Sequence, residues 1–154
     1  MTLQYKRLNA EVDEIPYGLL ELADPSKSMV EDYIRRGQCY LAFLEKERVG
    51  QFVLLHTHPK TIEIVNISVE ESFQGRGFGK ELVLKAIETA KQLGARSIEI
   101  GTGNSSIQQL RLYQKCGFRI ASIDHDFFVR HYEEEIIEDG IACRDMIRLR
   151  LDIF

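Results

Sequence analysis

The chain has 154 residues, enough for one domain with a sizeable core. It is 44% hydrophobic and 29% charged, with a net charge of −4 and no basic stripe, which excludes the usual profile of a nucleic-acid binder and mildly favours a cationic partner. Three cysteines without metal-ligand spacing, no apolar leader and no run of membrane-span length lead us to expect a cytoplasmic protein that uses neither metal nor membrane.

Residues 3–8 read as a short strand. Residues 14–23 and 26–36 read as two helices parted at Asp24-Pro25, the second ending at Gly37. Residues 41–58 read as a hairpin that turns near Lys46 and Glu47, and TIEIVNISV (61–69) as a strand rich in β-branched residues. From Gly77 to Leu93 the apolar residues Leu82, Val83, Ala86, Ile87 and Ala90 recur at helical spacing, with Gly94 placed to end the helix. Residues 97–101 form the next strand and 106–115 a short helix. The last two strands are 118–123 and 141–151, joined by a long loop. No repeat or linker interrupts this order. We expect a single α+β domain over residues 1–154, of three layers, with helix 77–93 linking strands 61–69 and 97–101 in a β-α-β unit.

The stretch FQGRGFGKEL (73–82) lies between a strand's end and a helix's start. Its glycines do not fit a Walker loop, which needs glycine at Gln74 and Ser or Thr at Glu81. Nor do they fit a dinucleotide fingerprint, which needs glycine at Lys80 or Leu82. Two readings remain. Free N–H groups from Gly75 to Lys80, with Arg76 and Lys80 adding positive charge, suit phosphate oxygens. Otherwise the glycines serve only close packing of helix on strand.

Residues 74–79, QGRGFG, fit the pattern Q/R-x-x-G-x-G/A, and LYQKCGF (112–118) fits L-Y-x-K-x-G-F. With a strand before the first motif and a helix and a strand between the two, the chain resembles the GNAT superfamily of N-acetyltransferases. The resemblance implies a central mixed, mostly antiparallel sheet flanked by helices. It implies acetyl-coenzyme A as the acetyl-donor cosubstrate, its pyrophosphate held by Gln74, Gly75, Arg76, Gly77, Phe78, Gly79 and Lys80. The preceding strand, through Ile67 and Val69, pairs with the pantetheine arm in that family. A family asparagine falls here at Ser106, with Asn104 two residues earlier; either serves the coenzyme, or Asn104 or Ser105 caps the helix.

Acetyl transfer to an amine needs a base for the ammonium and an acid for the leaving thiolate. Glu63 is the candidate base. It stands eleven positions before Gln74, the place of a base in the histone-acetyltransferase branch, and by simple alternation it shares a face with Val65, Ile67 and Val69. The competing view is a solvated glutamate at a strand edge. Tyr113 is the candidate acid, at the family tyrosine that points to the coenzyme sulfur; without the motif it reads as a packing residue. Cys116 and Cys143 read as inert rather than nucleophilic, and His56 and His58 as a strand-end pair rather than metal ligands.

The segment 124–140 interleaves acids with aromatics, and Asp124, Asp126, Phe127 and Phe128 are candidates for binding an amine. A solvated loop with inward-packed aromatics is the plain alternative. Asp145 falls in an apolar row, so it is paired, bulged out or facing a site. The sequence thus points to an acyltransferase that moves acetyl directly to a primary amine of a small molecule or peptide, with a homodimer through the C-terminal strands as a further expectation. A non-catalytic acetyl-coenzyme A sensor and another phosphate-ligand protein are the alternatives.

Overall fold

The computed structural model describes residues 2–153. Strand β1 (Gln4–Arg7) leads to helices α1 (Tyr17–Glu21) and α2 (Lys27–Arg36). Three strands follow: β2 (Gln38–Leu44), β3 (Glu47–His58) and β4 (Thr61–Val69). Then come α3 (Phe78–Gln92), β5 (Ser97–Gly103), α4 (Ile107–Lys115) and β6 (Arg119–Asp124). The chain ends with α5 (Phe127–His131), β7 (Ile136–Glu138), β8 (Ile141–Cys143) and β9 (Met146–Asp152). One sheet holds seven strands in the order β1-β2-β3-β4-β5-β9-β6. Only β4 and β5 pair in parallel, as the crossover through α3 requires; every other neighbouring pair is antiparallel.

Each face of the sheet has its own helical cover. On one, Ile62, Ile64, Ile98, Ile100 and Leu149 pack with Leu82, Val83, Ala86 and Ala90 of α3. On the other, Val53 and Leu55 pack with Leu20 of α1 and Val30, Tyr33 and Ile34 of α2. Burying each large apolar side chain stabilises the fold by about 1.5–3 kcal/mol, so the two faces fix three layers. Helix α2 starts where Ser26 Oγ accepts the Met29 N–H at 3.3 Å.

The parity of β4 changes midway. Leu54 lies opposite Ile64 and Val53 opposite Asn66, so Val65 has no partner on β3. This bulge flips every later side chain. Glu63 therefore shares its face with Val65, Asn66 and Ser68 on the α1–α2 side, whereas Ile67 and Val69 pack into the α3 side. Simple alternation had placed Glu63 with Ile67 and Val69; the bulge corrects it. Beyond Ile64, β4 also stops pairing with β5, although β4 runs on to Val69 and β5 to Gly103. A gap opens through the sheet.

Two expectations at the C-terminus are corrected as well. The strand expected over 141–151 is two strands, because both the Arg144 and Asp145 N–H groups turn to Asn104 Oδ1, at 2.8 and 3.0 Å. There β8 leaves the main sheet to pair with β7. Asp145 sits in this break, neither in an apolar row nor free: its Oδ1 accepts the Asp126 N–H at 2.9 Å. The segment 124–140, expected as a loop, carries α5 and β7.

A buried polar chain ties β4 to the helices. Gln51 Nε2 donates to Asn66 Oδ1 at 2.6 Å and to Ser68 Oγ at 2.9 Å. Asn66 Nδ2 donates to Tyr33 Oη at 2.7 Å and to the Leu20 carbonyl at 3.0 Å. Tyr33 donates to Asp24, which also accepts from Tyr132 Oη at 2.8 Å. Loss of one member strands its partners in the interior. Asn66→Ala is expected to lower the unfolding free energy by about 1–3 kcal/mol in urea titration, against a few tenths if the chain can re-satisfy itself.

Candidate functional site

The glycine loop is shaped for an anion. Gly75 and Gly77 adopt φ of 79° and 85°, a region costly for residues with a Cβ. Gly77 is the N-cap of α3 and offers no side chain to the helix. No described acceptor meets the N–H groups of residues 75–80. In a 15-residue helix these orphan donors lie at the positive end of the dipole. Arg76 and Lys80 enter no ion pair among the described residues, and Arg76 lies 5.3 Å from the Phe73 ring centre. Gln74 Nε2 holds the Val69 carbonyl at 3.0 Å, bracing the loop against the end of β4.

The gap beside β4 is lined by backbone. The Glu70 N–H donates to the Val49 carbonyl on β3 at 2.7 Å. Main-chain groups alternate sides along a strand, so those of Ile67 and Val69 face away from β3, into the gap. The loop and the gap are continuous, and an extended ligand with a phosphate at one end fits both.

On the α1–α2 face lies a cavity of about 420 Å³. Glu63, Val65, Leu55, Met29, Phe127 and Met146 line it, with Asp24, Tyr33, Tyr132 and Arg148. The Glu63 carboxylate makes no hydrogen bond to a described residue, yet no buried polar atom among those residues lacks a partner, so its oxygens open to the cavity. Burial holds its pKa above the ordinary carboxylate range; Arg148 opposes this and Glu99 adds to it, and burial wins.

Tyr113 lies on α4 with its ring buried against Phe118, 6.4 Å between centres. Burial also raises its pKa, so the phenol stays protonated at neutral pH. Its hydroxyl has no described hydrogen-bond partner and is not sealed from solvent. Tyr113 belongs to the α3 side of the sheet and Glu63 to the α1–α2 side; the gap between β4 and β5 joins the two faces.

Other sequence candidates are placed differently. Asn104 gives both carbonyl lone pairs to the Arg144 and Asp145 N–H groups and one N–H to the Ala142 carbonyl, leaving one N–H free. Ser106 is the N-cap of α4, but its hydroxyl donates to Glu138 Oε1 at 2.9 Å. Asp124 is held by Arg130, and Asp126 by Arg144 at 2.7 Å, so neither is a free acid. Of the four proposed amine-binding residues only Phe127 lines the cavity; Phe128 packs on Tyr132 instead, 5.3 Å between ring centres. Sequence reasoning missed Arg148 and Asp24. Arg148 reaches the cavity from β9 beside Met146, on the face opposite Leu149.

The model of the Acetyltransferase (GNAT) family matches residues 8–118. The uncharacterized N-acetyltransferase YvbK of Bacillus subtilis (strain 168) is 64% identical over 146 residues, 95% of this chain and 94% of its own. A crystal structure of a Bacillus subtilis acetyltransferase in complex with CoA is 60% identical with a TM-score of 0.91, covering 99% of this chain and 100% of that one. A GNAT family acetyltransferase from Elizabethkingia anophelis with acetyl-CoA bound is 44% identical with a TM-score of 0.95 over 98% of each chain.

Glu63 carries a testable cost. A carboxyl whose pKa is raised by folding loses stability as pH climbs from its unfolded pKa through its folded one. Glu63→Gln is therefore expected to melt above the parent at pH 8, the difference closing below about pH 4, where both states are protonated. A lower melting temperature at pH 8 would show that ion pairing, not burial, dominates.

Proposed function

We propose, from the premise that the chain belongs to the GNAT family of acetyltransferases, that it moves an acetyl group from acetyl-coenzyme A to a primary amine by direct transfer in a ternary complex. The observation that carries the proposal is the run of partnerless N–H groups at 75–80 opening into the gap beside β4, with Glu63 across the sheet. The coenzyme supplies an activated acetyl thioester. The donors of Gly75 to Lys80, with Arg76 and Lys80, would hold its pyrophosphate, and the main chain at Ile67 and Val69 its pantetheine arm. Both substrates then meet at the gap, the coenzyme from the α3 side and the amine from the cavity, which removes the entropic cost of encounter.

The proton inventory closes. Glu63, held above the usual carboxylate range, takes a proton from the acceptor ammonium, directly or through water. The amine nitrogen bonds to the acetyl carbon as the carbon–sulfur bond breaks, and its second proton passes to solvent as the amide forms. The Tyr113 hydroxyl protonates the departing thiolate, and solvent returns the proton from Glu63 to Tyr113. Cys116 and Cys143 stay outside this scheme: burial pushes both thiols up, and neither lines the cavity.

We place these functions in one domain over residues 1–154 and in the cytoplasm, in keeping with three free thiols. No helix among the described residues is long and apolar enough to cross a membrane. A homodimer would use the C-terminal strands, where the edge strand β6 exposes Ile120 and Ile123.

Turnover would be followed by thiol release from acetyl-coenzyme A with a panel of primary amines. Glu63→Gln is expected to lower kcat/KM by about 100-fold and remove the acid limb of the pH profile. Tyr113→Phe is expected to lower kcat about 10–100-fold with coenzyme affinity nearly unchanged. Full activity of Glu63→Gln across pH would remove Glu63 from the mechanism. Coenzyme binding without transfer to any amine would favour a sensor.

A further inference from the structure

The cavity holds two charges of opposite sign that do not meet. Glu63 has no described hydrogen-bond partner, and neither has the guanidinium of Arg148. Both line the same cavity and feel each other electrostatically, yet no ion pair within 4.0 Å joins them. They sit on strands two apart in the sheet, β4 and β9, with Arg148 two residues off the level of Glu63, so their backbones are separated by roughly 12 Å. A gap of that kind between an acid and a base suits a ligand with both charges.

Arg148 is free in a way the other basic residue at this cavity is not. Arg36 is bound to Asp32 at 2.7 Å on the same helix. Among the described residues the one carboxylate within 4.0 Å of Arg148 is Asp124, whose Oδ2 stands 3.9 Å away, too far for a hydrogen bond, while Arg130 holds its Oδ1. The side chain of Arg148 is 35% exposed, with its guanidinium carbon 5.7 Å from the Phe127 ring centre. The ring holds the planar group in place while its donors stay unused. A guanidinium presenting a fork of free N–H groups is matched to a planar oxyanion. The apolar part of the cavity lining is made by Met29, Leu55, Val65, Phe127 and Met146.

Resting on the transferase reading above, we propose that the acceptor is an amino acid with an apolar side chain. Its amine faces Glu63, its carboxylate is bound by Arg148, and its side chain lies on the apolar wall. Arg148 is then the residue that selects carboxylate-bearing amines from simple ones. It contributes nothing to the proton transfers.

The test uses matched acceptors: L-leucine, L-leucinamide and 3-methylbutylamine, then L-phenylalanine with its amide and phenethylamine. The amino acids are expected to exceed their partners in kcat/KM by about tenfold or more, the usual worth of a charge-assisted hydrogen bond. Arg148→Gln is expected to collapse that ratio, and Arg148→Lys to keep part of it. Calorimetric titration of L-leucine into protein saturated with coenzyme A should show binding that Arg148→Gln loses. Coenzyme affinity, measured in each variant, checks folding. Equal or better turnover of the amines without a carboxylate overturns the proposal and leaves the transferase reading standing. An equal loss on all acceptors in Arg148→Gln also overturns it. No transfer to any member overturns it too, and the coenzyme titration then tells whether the transferase reading falls with it.

Discussion

One extra residue, Val65, organises the molecule. Having no partner on β3, it turns the side chains of β4 over in mid-strand. Ile62 and Ile64 before it, and Ile67 and Val69 after it, all reach the α3 side of the core. Asn66 and Ser68 are thereby sent to the α1–α2 side, where the buried hydrogen-bond chain receives them. The same bulge accompanies the parting of β4 from β5, which exposes main-chain groups inside an otherwise paired sheet. A sheet normally satisfies those groups internally, so a gap of this kind is a place for a ligand.

The proposed chemistry follows from what each side of the gap presents. The α3 side offers orphan donors and two cations that enter no ion pair among the described residues, which suit a phosphate-bearing cosubstrate. The α1–α2 side offers a cavity with an acid held above its ordinary pKa, which suits an amine that must lose a proton. The hydrogen-bond chain from Gln51 through Asn66, Tyr33 and Asp24 to Tyr132 runs along this second side and ties α5 across the cavity to α2. Its rigidity supports a pocket built from segments far apart in sequence.

Local signals were legible in the sequence, and long-range ones were not. The β-branched run gave β4 its observed bounds, and the helical spacing with Gly77 and Gly94 gave α3 to within one residue at each end. The loop motif led to the orphan donors because Gly75 and Gly77 express their geometry locally. The face of Glu63 was misjudged because a bulge depends on the partner strand, which alternation within one strand does not contain. The break at Arg144 and Asp145 depends on Asn104, about forty residues earlier, and so no window around the strand reveals it. The acids at 124 and 126 looked available because their arginine partners are assigned only once β9 and α5 are folded together.

The central claim is that the partnerless N–H groups at 75–80 bind a pyrophosphate. Calorimetric titration with acetyl-coenzyme A and with acetyl-pantetheine, which lacks that group, tests it most directly. The account predicts saturable binding of acetyl-coenzyme A and binding of acetyl-pantetheine weaker by about 100-fold or more, the worth of two or so charge-assisted hydrogen bonds. Equal affinities for the two would contradict it and reduce the glycines of the loop to packing.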